Sequence, residues 1–362
     1  MLKEKLIERS LPALLVMNNG KKVQTIDDWR VRRLELLELL SREEFGFTPA
    51  APEEITAEIE PMTDWETNTH AFANKAIQQV IHLSFDTPGG SFSFPFKLAV
   101  PKAVSKAPVF IHVGFRRDFP DRYLPVEEIL EHGFSVAAFC YEDVTDDSAD
   151  FNKLAAMYPR DEKTGWGKIG MWAFAASRVL DYLETRDDID AARACVSGHS
   201  RLGKTALWCA AQDERFSMVV SNNSGCSGAT LSRGKIGENI EKITSVFPFW
   251  FCGNYQNWRG RENEMPFDQH MLIALTAPRK AYINSAQEDD WADPESEFLG
   301  CAAASAAWTI HRTAGLVTPD EMPQVDVPLM DGGVCYHVRT GAHFQSRTDW
   351  GHHMACWEKF QI

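Results

Sequence analysis

The sequence predicts an α/β fold, a three-layer αβα sandwich in which helices cover both faces of a mixed, mostly parallel sheet. Short apolar runs rich in β-branched residues alternate with stretches of helical periodicity from about residue 109 onward. Two strand-like stretches that read as a hairpin precede this alternation, a pattern typical of mixed sheets covered on both faces. Hydrophobic residues make up 44% of the 362 residues and charged residues 24%, which is the composition of a folded globular protein.

The first 45 residues are expected to be helical. Asp27 and Asp28 would cap a helix that runs to about Phe45, since acidic side chains favour the start of a helix. The prolines at positions 49 and 52 end it. Residues 1–48 are therefore predicted to form a helical segment that packs on a single domain of residues 49–362. The apolar residues at helical spacing are Trp29, Leu34, Leu37 and Leu40.

Eight strands are predicted along the rest of the chain. The first two are separated by Pro88-Gly89-Gly90, which favours a hairpin. Helices at 167–184, 203–211 and 349–360 alternate with the later strands, and the aromatic-rich stretch Val246–Trp258 is expected to be an insertion over the carboxyl end of the sheet. The predicted strands are 79–86, 92–100, 109–113, 135–140, 194–197, 218–221, 281–285 and 334–339.

Charge and hydropathy argue against two classes of partner. The chain carries 37 Lys+Arg and 51 Asp+Glu, a net charge of −14, whereas a nucleic-acid-binding protein would present a basic face. No run of about 20 apolar residues could form a membrane-spanning helix. Met1–Arg9 mixes acidic with basic residues, unlike a signal peptide, so we expect a cytoplasmic protein, or a secreted or periplasmic one if a leader has been removed. We also expect a monomer.

The eight cysteines form no Cys-x-x-Cys pair, which argues against a zinc ribbon or a thioredoxin-like motif. Most of them lie in apolar runs such as Ala194-Cys195-Val196, where Cys packs as a small hydrophobic residue. The sequence therefore predicts reduced, buried thiols and no metal site.

The stretch Val196–Lys204 has the features of a nucleophile elbow. A predicted strand ends at Ser197, and Gly198 permits a tight turn. Ser200 stands at the apex of that turn, and a helix begins near Gly203. Such a turn exposes the serine, and the helix start offers backbone N–H groups to a developing oxyanion. The second glycine comes one residue later than in the usual Gly-x-Ser-x-Gly pattern.

The same residues also satisfy a phosphate-binding loop pattern, since Gly198 and Gly203-Lys204-Thr205 match Gly-x-x-x-x-Gly-Lys-Thr. A loop of this kind normally follows the first strand of its domain, whereas several predicted strands precede this stretch. We also find no convincing downstream strand that ends in a magnesium-binding Asp. The nucleotide-binding alternative is therefore disfavoured but stays open.

The order of candidate residues along the chain favours the elbow. His343 follows the last predicted strand, after Gly341, in a loop where a general base belongs in this arrangement. His352 and His353 compete with it but fall in the predicted terminal helix. His337 falls within the last strand and is expected to point into the sheet packing.

The acid partner is expected after strand 281–285. That strand leads into Glu288-Asp289-Asp290, where a carboxylate could orient the imidazole and stabilise its charged form. Asp289 is the preferred acid, and Glu288 and Asp290 remain alternatives. Strand 218–221 leads instead into Asn222-Asn223, which carry no charge.

Stretches between about residues 195 and 345 match a known family in order and spacing. They are Gly198–Lys204, Ser221–Ala229, Gly237–Glu238, Phe247–Phe251, Asp268–Met271, Ala277–Arg279, Ser285–Pro294 and Gly341–His343. In these stretches the chain resembles the glucuronoyl esterases of bacterial type, carbohydrate esterases with the α/β-hydrolase fold. The resemblance implies a catalytic domain that hydrolyses glucuronoyl or 4-O-methyl-glucuronoyl esters of xylan-derived saccharides through an acyl-enzyme. The alcohol would be lignin-like or methanol.

The resemblance also implies residue roles. Ser200 corresponds to the nucleophile, His343 to the general base, and Arg201 to the family's oxyanion-stabilising residue, whose guanidinium adds a full charge to the backbone donors. Many bacterial members carry Glu where this chain has Asn223. The catalytic triad would then rely on Asp289, at the family's alternative acid position.

Lys204, Glu238 and Trp291 match family positions that contact the glucuronate sugar. Lysine and glutamate can bond to hydroxyl groups, and tryptophan offers an apolar platform for a sugar face. No metal or organic cofactor is implied. Two alternatives remain, an acetyl-xylan or other carbohydrate esterase and a catalytically weak carbohydrate-binding relative.

Overall fold

A mixed sheet runs through the computed structural model, which describes residues 1–62 and 71–359. Within these residues its nine strands are β1 Ile55–Ile59, β2 Ala76–Thr87, β3 Gly90–Pro101, β4 Ala107–Gly114, β5 Ser135–Cys140, β6 Ile189–His199, β7 Phe216–Asn222, β8 Lys280–Ala286 and β9 Val334–Arg339. They lie in the order β1-β2-β3-β5-β4-β6-β7-β8-β9. The pairs from β1 through β3 to β5 are antiparallel, and those from β5 to β9 are parallel.

All eight predicted strands are present, including the hairpin, in which Thr87 pairs with Gly90. The sequence analysis missed β1. Its apolar residues alternate with polar ones, but the run is only five residues long and four of them are exposed at the edge of the sheet, so this short pattern is a weak signal.

Helices cover both faces of this sheet. In the described ranges the α-helices are α1 Leu2–Glu8, α2 Ile26–Leu40, α3 Val126–Glu131, α4 Tyr141–Val144, α5 Lys168–Leu183, α6 Arg201–Gln212, α7 Ile240–Val246, α8 Gln269–Ala274, α9 Pro294–Ala304, α10 Ala306–Ile310 and α11 Arg347–Lys359. The last residue of the helix predicted at 349–360 lies outside the described residues. Over residues 1–62 and 71–359, no helix is long and apolar enough to cross a membrane.

Alternate residues of the central strands point into two separate cores. In β4, Val109 and Ile111 join a large core that includes side chains of α2, α5, α6 and α8. Phe110 joins a smaller core with Trp350 and Trp357 of α11. Because successive side chains of a strand point to opposite faces, the two cores are the two sides of the sheet. The predicted three-layer sandwich is therefore confirmed.

The prediction for the N-terminal residues is partly wrong. Residues 9–25 connect α1 to α2 without forming a helix, and Gly20 takes a positive φ of 83° in a turn within them. Thr25, rather than the acidic pair after it, caps α2. Its hydroxyl accepts the Asp28 N–H at 3.1 Å, and the Asp28 carboxylate accepts the Thr25 N–H at 3.1 Å. This reciprocal capping box starts the helix.

The helix α2 packs into the large core through Trp29, Leu36 and Leu40, which are buried. Leu34 is 65% exposed and does not belong to this buried stripe. Arg33 links α2 to the end of α6, because its Nη2 donates to the Ala211 carbonyl at 2.6 Å. A domain boundary at residue 48 stays a prediction.

The eight cysteines are buried, as predicted, and the structure joins none of them in a disulfide. Cys335 of β9 and Cys356 of α11 face each other, with their Sγ atoms 2.9 Å apart. This contact lies in the smaller core.

Candidate active site

Ser200 stands in a strained turn between β6 and α6. Its backbone adopts φ 59° and ψ −126°, a conformation that non-glycine residues rarely occupy. Gly198 makes the turn sterically feasible, because a Cβ there would lie 2.1 Å from the Leu202 carbonyl oxygen. Gly203 lets α6 pass close to the loop after β7, since its Cβ would lie 3.1 Å from that of Ser224. The local geometry of a nucleophile elbow is therefore present.

The loop after β9 brings His343 to this turn. The His343 ring centroid lies 4.5 Å from that of His199, the residue before Ser200. His343 Nδ1 lies 2.6 Å from Asp289 Oδ2. Asp289 is buried, whereas 42% of the His343 side chain is exposed. Burial lowers the pKa of His199 to about 3, so this neighbour stays neutral beside the pair.

Asp289, rather than Glu288 or Asp290, faces the histidine. The Glu288 N–H donates to the Gly341 carbonyl at 3.0 Å, which ties the loop after β8 to the loop that carries His343. Asp289 points inward from this loop, while its two acidic neighbours are exposed. Burial acts to raise the pKa of Asp289, but the hydrogen bond and charge of His343 outweigh it, so this pKa is lowered.

Asn223 contacts the same carboxylate. Its Nδ2 donates to Asp289 Oδ2 at 2.9 Å. Its backbone has a φ of 45°, and its N–H donates to the Asn284 carbonyl at 2.7 Å. The position at which many bacterial relatives were expected to carry Glu therefore holds a donor that supports the neighbouring acid.

The competing histidines belong to a buried network around Asp349. His337 Nε2 lies 2.9 Å from Asp349 Oδ1. His353 Nε2 lies 3.0 Å from Asn284 Oδ1, and the Asn284 amide donates to Asp349. The His352 ring lies 4.8 Å from that of His337. His337 is fully buried, which confirms that it points into the sheet packing.

Arg201, the first residue of α6, pairs with a carboxylate that sequence reasoning missed. Its guanidinium forms an ion pair with Asp147, which lies 54 residues earlier in the loop after α4. The guanidinium also lies 4.6 Å from the Trp250 ring centroid. The acidic run that contains Asp147 gave no signal to separate it from Asp146. Trp250 belongs to the predicted insertion, which thus reaches the site as a series of short 3-10 turns.

The three predicted sugar-contacting residues share one region. Lys204 is buried in α6 and donates to the Ser224 carbonyl. Burial lowers the pKa of Lys204, and the charge of Glu238 opposes that shift. The Glu238 N–H donates to the Trp291 carbonyl at 3.0 Å. Trp291 is 55% exposed, and the Lys242 ammonium lies 5.0 Å from its ring centroid.

The phosphate-binding alternative gains no support from this arrangement. The Thr205 hydroxyl, which would contact magnesium in such a loop, donates instead to the Arg201 carbonyl at 3.1 Å. The described residues contain no cluster of three or more His, Cys, Asp or Glu side chains that could hold a metal ion.

Two buried glutamates near the site also escaped sequence reasoning. Glu297 of α9 accepts from Ser285 Oγ at 2.5 Å and from the Gly225 N–H at 2.8 Å, which joins the ends of β8 and β7. Burial raises the pKa of Glu297 to about 7 and that of Glu44 to about 8. Both residues lie in helical sequence where nothing separates them from surface acids.

The combination of groups fits acyl transfer. A serine in a strained turn can attack a carbonyl carbon, a histidine with a buried carboxylate partner can accept its proton, and a guanidinium can face the negative charge that forms on oxygen. These are the roles that a candidate serine hydrolase site has to fill.

Comparison with known proteins gives consistent matches. The family model described as "Glucuronyl esterase, fungi" matches residues 83–314. A carbohydrate esterase from an unknown prokaryotic organism is 33% identical over an alignment 384 residues long, gaps included. The alignment covers 94% of this chain and 87% of that protein. The structure of a glucuronoyl esterase from Solibacter usitatus superposes with a TM-score of 0.86 at 34% identity, covering 96% of this chain and 97% of that one. A 4-O-methyl-glucuronoyl methylesterase from Podospora anserina is 27% identical, covering 80% of this chain and 58% of that protein.

Proposed function

The chain belongs to the glucuronoyl esterase family and has the α/β-hydrolase fold, and from that premise we propose that it hydrolyses glucuronoyl and 4-O-methyl-glucuronoyl esters of xylan-derived saccharides. It is a carboxylic ester hydrolase of the serine type. The observation that carries the proposal is the 2.6 Å contact between His343 and Asp289 beside the turn of Ser200. The named substrate of the fungal relative supports the choice of ester.

The reaction proceeds in two halves. Ser200 Oγ attacks the ester carbonyl carbon while His343 Nε2 accepts its proton, and the tetrahedral intermediate forms. Asp289 accepts the Nδ1–H of His343 at 2.6 Å, which fixes the tautomer and stabilises the imidazolium. His343 then protonates the departing alcohol, and an acyl-enzyme remains. A water molecule, deprotonated by His343, attacks the acyl-enzyme, and the uronic acid leaves as Ser200 regains its proton.

The negative charge of each tetrahedral intermediate faces the start of α6. The first N–H groups of a helix lack intrahelical partners, so the first turn of α6 offers donors there. The Arg201 guanidinium adds a positive charge, and the backbone after Gly114 supplies a further donor. The loop after Gly114 borders the turn of Ser200, because the ring centroid of Phe115 lies 6.1 Å from that of His199.

Lys204, Glu238 and Trp291 hold the uronate sugar in this proposal. Lys204 and Glu238 bond to sugar hydroxyls, and the exposed ring of Trp291 packs on an apolar sugar face. Every step uses side chains and backbone of the chain, without a cofactor. We propose a monomer in which residues 1–48 pack on a catalytic domain of residues 49–362.

Turnover of matched esters tests the function. We expect the purified protein to hydrolyse methyl 4-O-methyl-glucuronate with a kcat/KM about 100-fold above that for acetylated xylo-oligosaccharides, because the sugar contacts act on the acyl side. Faster release of acetate would make it an acetyl-xylan esterase. Saturable binding of the glucuronate without hydrolysis of either ester would make it a carbohydrate-binding relative.

A further inference from the structure

The Arg201 guanidinium occupies a site built from one carboxylate and three aromatic rings. It forms an ion pair with Asp147. Its Cζ lies 4.6 Å from the ring centroid of Trp250, 5.2 Å from that of Phe247 and 5.8 Å from that of Phe115. Only 26% of the Arg201 side chain and 7% of the Asp147 side chain are exposed. The pair is therefore largely removed from water.

Asp147 is itself held in place by two donors. The Trp250 Nε1–H donates to Asp147 Oδ1 at 2.6 Å, and the Tyr141 hydroxyl donates to Asp147 Oδ2 at 3.2 Å. The Trp250 ring stacks on Phe247 with centroids 3.9 Å apart and an interplanar angle of 3°. Trp250 thus serves twice, because its ring lies against the guanidinium and its N–H fixes the carboxylate that pairs with it.

We propose that Asp147 is a positioning residue that acts through Arg201, holding the guanidinium where it meets the oxyanion. The inference rests on the proposed esterase function. An unpaired arginine samples several rotamers, so its charge would have to be reoriented during each turnover. The ion pair and the aromatic contacts remove that freedom before the substrate arrives.

The negative charge of Asp147 also acts against oxyanion stabilisation, because it reduces the positive potential of Arg201. We expect the positioning effect to prevail, since a donor fixed in advance needs no rearrangement as the charge develops. The Nε–H of Arg201 is buried and has no hydrogen-bond partner among the described residues.

A double-mutant cycle tests the proposal in the full-length protein. Asp147→Asn, Arg201→Ala and the double variant are assayed on methyl glucuronate and on p-nitrophenyl acetate. Loss of an oxyanion donor in Arg201→Ala is expected to lower kcat about 100- to 1000-fold. Asp147→Asn is expected to lower kcat about 10- to 100-fold with KM changed less than about twofold. In the Arg201→Ala background, Asp147→Asn is expected to change kcat by less than about twofold.

Further variants separate positioning from folding. Asp147→Glu keeps the charge and is expected to recover part of the lost kcat. Trp250→Phe keeps an aromatic ring but removes the N–H that holds Asp147. It is expected to lower kcat by a smaller factor than Asp147→Asn does. Asp150→Asn changes an exposed carboxylate of the same loop and is the matched control, with unchanged kcat. Thermal unfolding of each variant checks that it is folded.

An equal loss of kcat in both backgrounds would show that Asp147 acts independently of Arg201 and overturn the proposal, as would an unchanged kcat in Asp147→Asn. Failure of the esterase proposal looks different. If the wild type hydrolyses p-nitrophenyl acetate and not glucuronoyl esters, the proposed substrate is wrong. The double-mutant cycle measured on p-nitrophenyl acetate then still decides the role of Asp147. A wild type inactive on both esters overturns both proposals.

Discussion

The side-chain amide of Asn223 donates a 2.9 Å hydrogen bond to Asp289 through the same carboxylate oxygen, Oδ2, that lies 2.6 Å from His343. A second carboxylate at position 223 would repel Asp289 at this distance, whereas an amide donor stabilises its ionised form. The two residues are thus complementary, and we expect Asn223 to support Asp289 as the acid partner of His343.

Replacement of Asp289 is therefore expected to cost far more activity than replacement of Asn223. Asp289→Asn removes the charge that stabilises the imidazolium and should lower kcat by about 10³- to 10⁴-fold. Asn223→Ala removes one of several interactions that hold the acid and should lower kcat by about tenfold or less. Steady-state kinetics on methyl glucuronate measure both. The reverse ranking would place the functional acid elsewhere.

Ser200→Ala is expected to abolish hydrolysis. Loss of the nucleophile removes the covalent route, so kcat should fall by at least about 10⁴-fold. Mass spectrometry should also show that a fluorophosphonate labels the wild type and not the variant. Ser91→Ala, at an exposed residue near the start of β3, is the control and should keep full activity. Undiminished hydrolysis by Ser200→Ala would exclude this serine as the nucleophile.

Glu44→Gln is expected to change how stability depends on pH. Burial raises the pKa of Glu44 from 4.5 to about 8, so the folded state binds a proton that the unfolded state releases in this range. The contribution of Glu44 is therefore favourable below pH 4.5 and is lost as pH rises towards 8, by about 1.4 kcal/mol for each pH unit. Glutamine stays neutral and avoids this loss.

Denaturant unfolding from pH 5 to 8 checks this expectation. The stability of Glu44→Gln relative to wild type should increase steadily with pH. Glu38→Gln alters an exposed glutamate of α2 and should show a constant difference from wild type. A constant difference for Glu44→Gln as well would mean that Glu44 is ionised in the folded protein.

Trp291→Ala is expected to weaken substrate binding without lowering the stability of the fold. The ring is 55% exposed, so its removal should leave the unfolding temperature nearly unchanged. Loss of a sugar platform should raise KM for methyl glucuronate about tenfold and leave the kinetics on p-nitrophenyl acetate unaltered. Val327→Ala, at an exposed apolar residue, controls for surface truncation. Equal effects on both esters would argue against a sugar contact.

The predictions from sequence succeeded where local pattern decides structure. The buried strands are short apolar runs, and the turn at Ser200 needs glycine at 198, so both leave a signature in the chain. The choice among Glu288, Asp289 and Asp290 was open, because it depends on which way one loop turns. In the structure the backbone contact between that loop and Gly341 accompanies the placement of Asp289 beside His343, and the catalytic role of Asp289 stays a prediction.

Residues that act through distant partners left no such signature. Asp147 meets Arg201 across 54 residues, and Glu297 meets Gly225 across 72. Each looks like a surface acid until the fold buries it. The edge strand β1 was missed because it is short and mostly exposed, and its pairing with β2 cannot be read from its own five residues.

The pairing of Arg201 with Asp147 has a consequence for product release. The substrate ester is uncharged at its reacting group, whereas the uronic acid product is an anion at neutral pH. The charge of Glu238 likewise acts on Lys204, so both of these cations beside Ser200 have a carboxylate nearby. An anion gains little attraction from cations balanced in this way. We therefore expect weak product inhibition, with a glucuronate inhibition constant well above the KM of the ester.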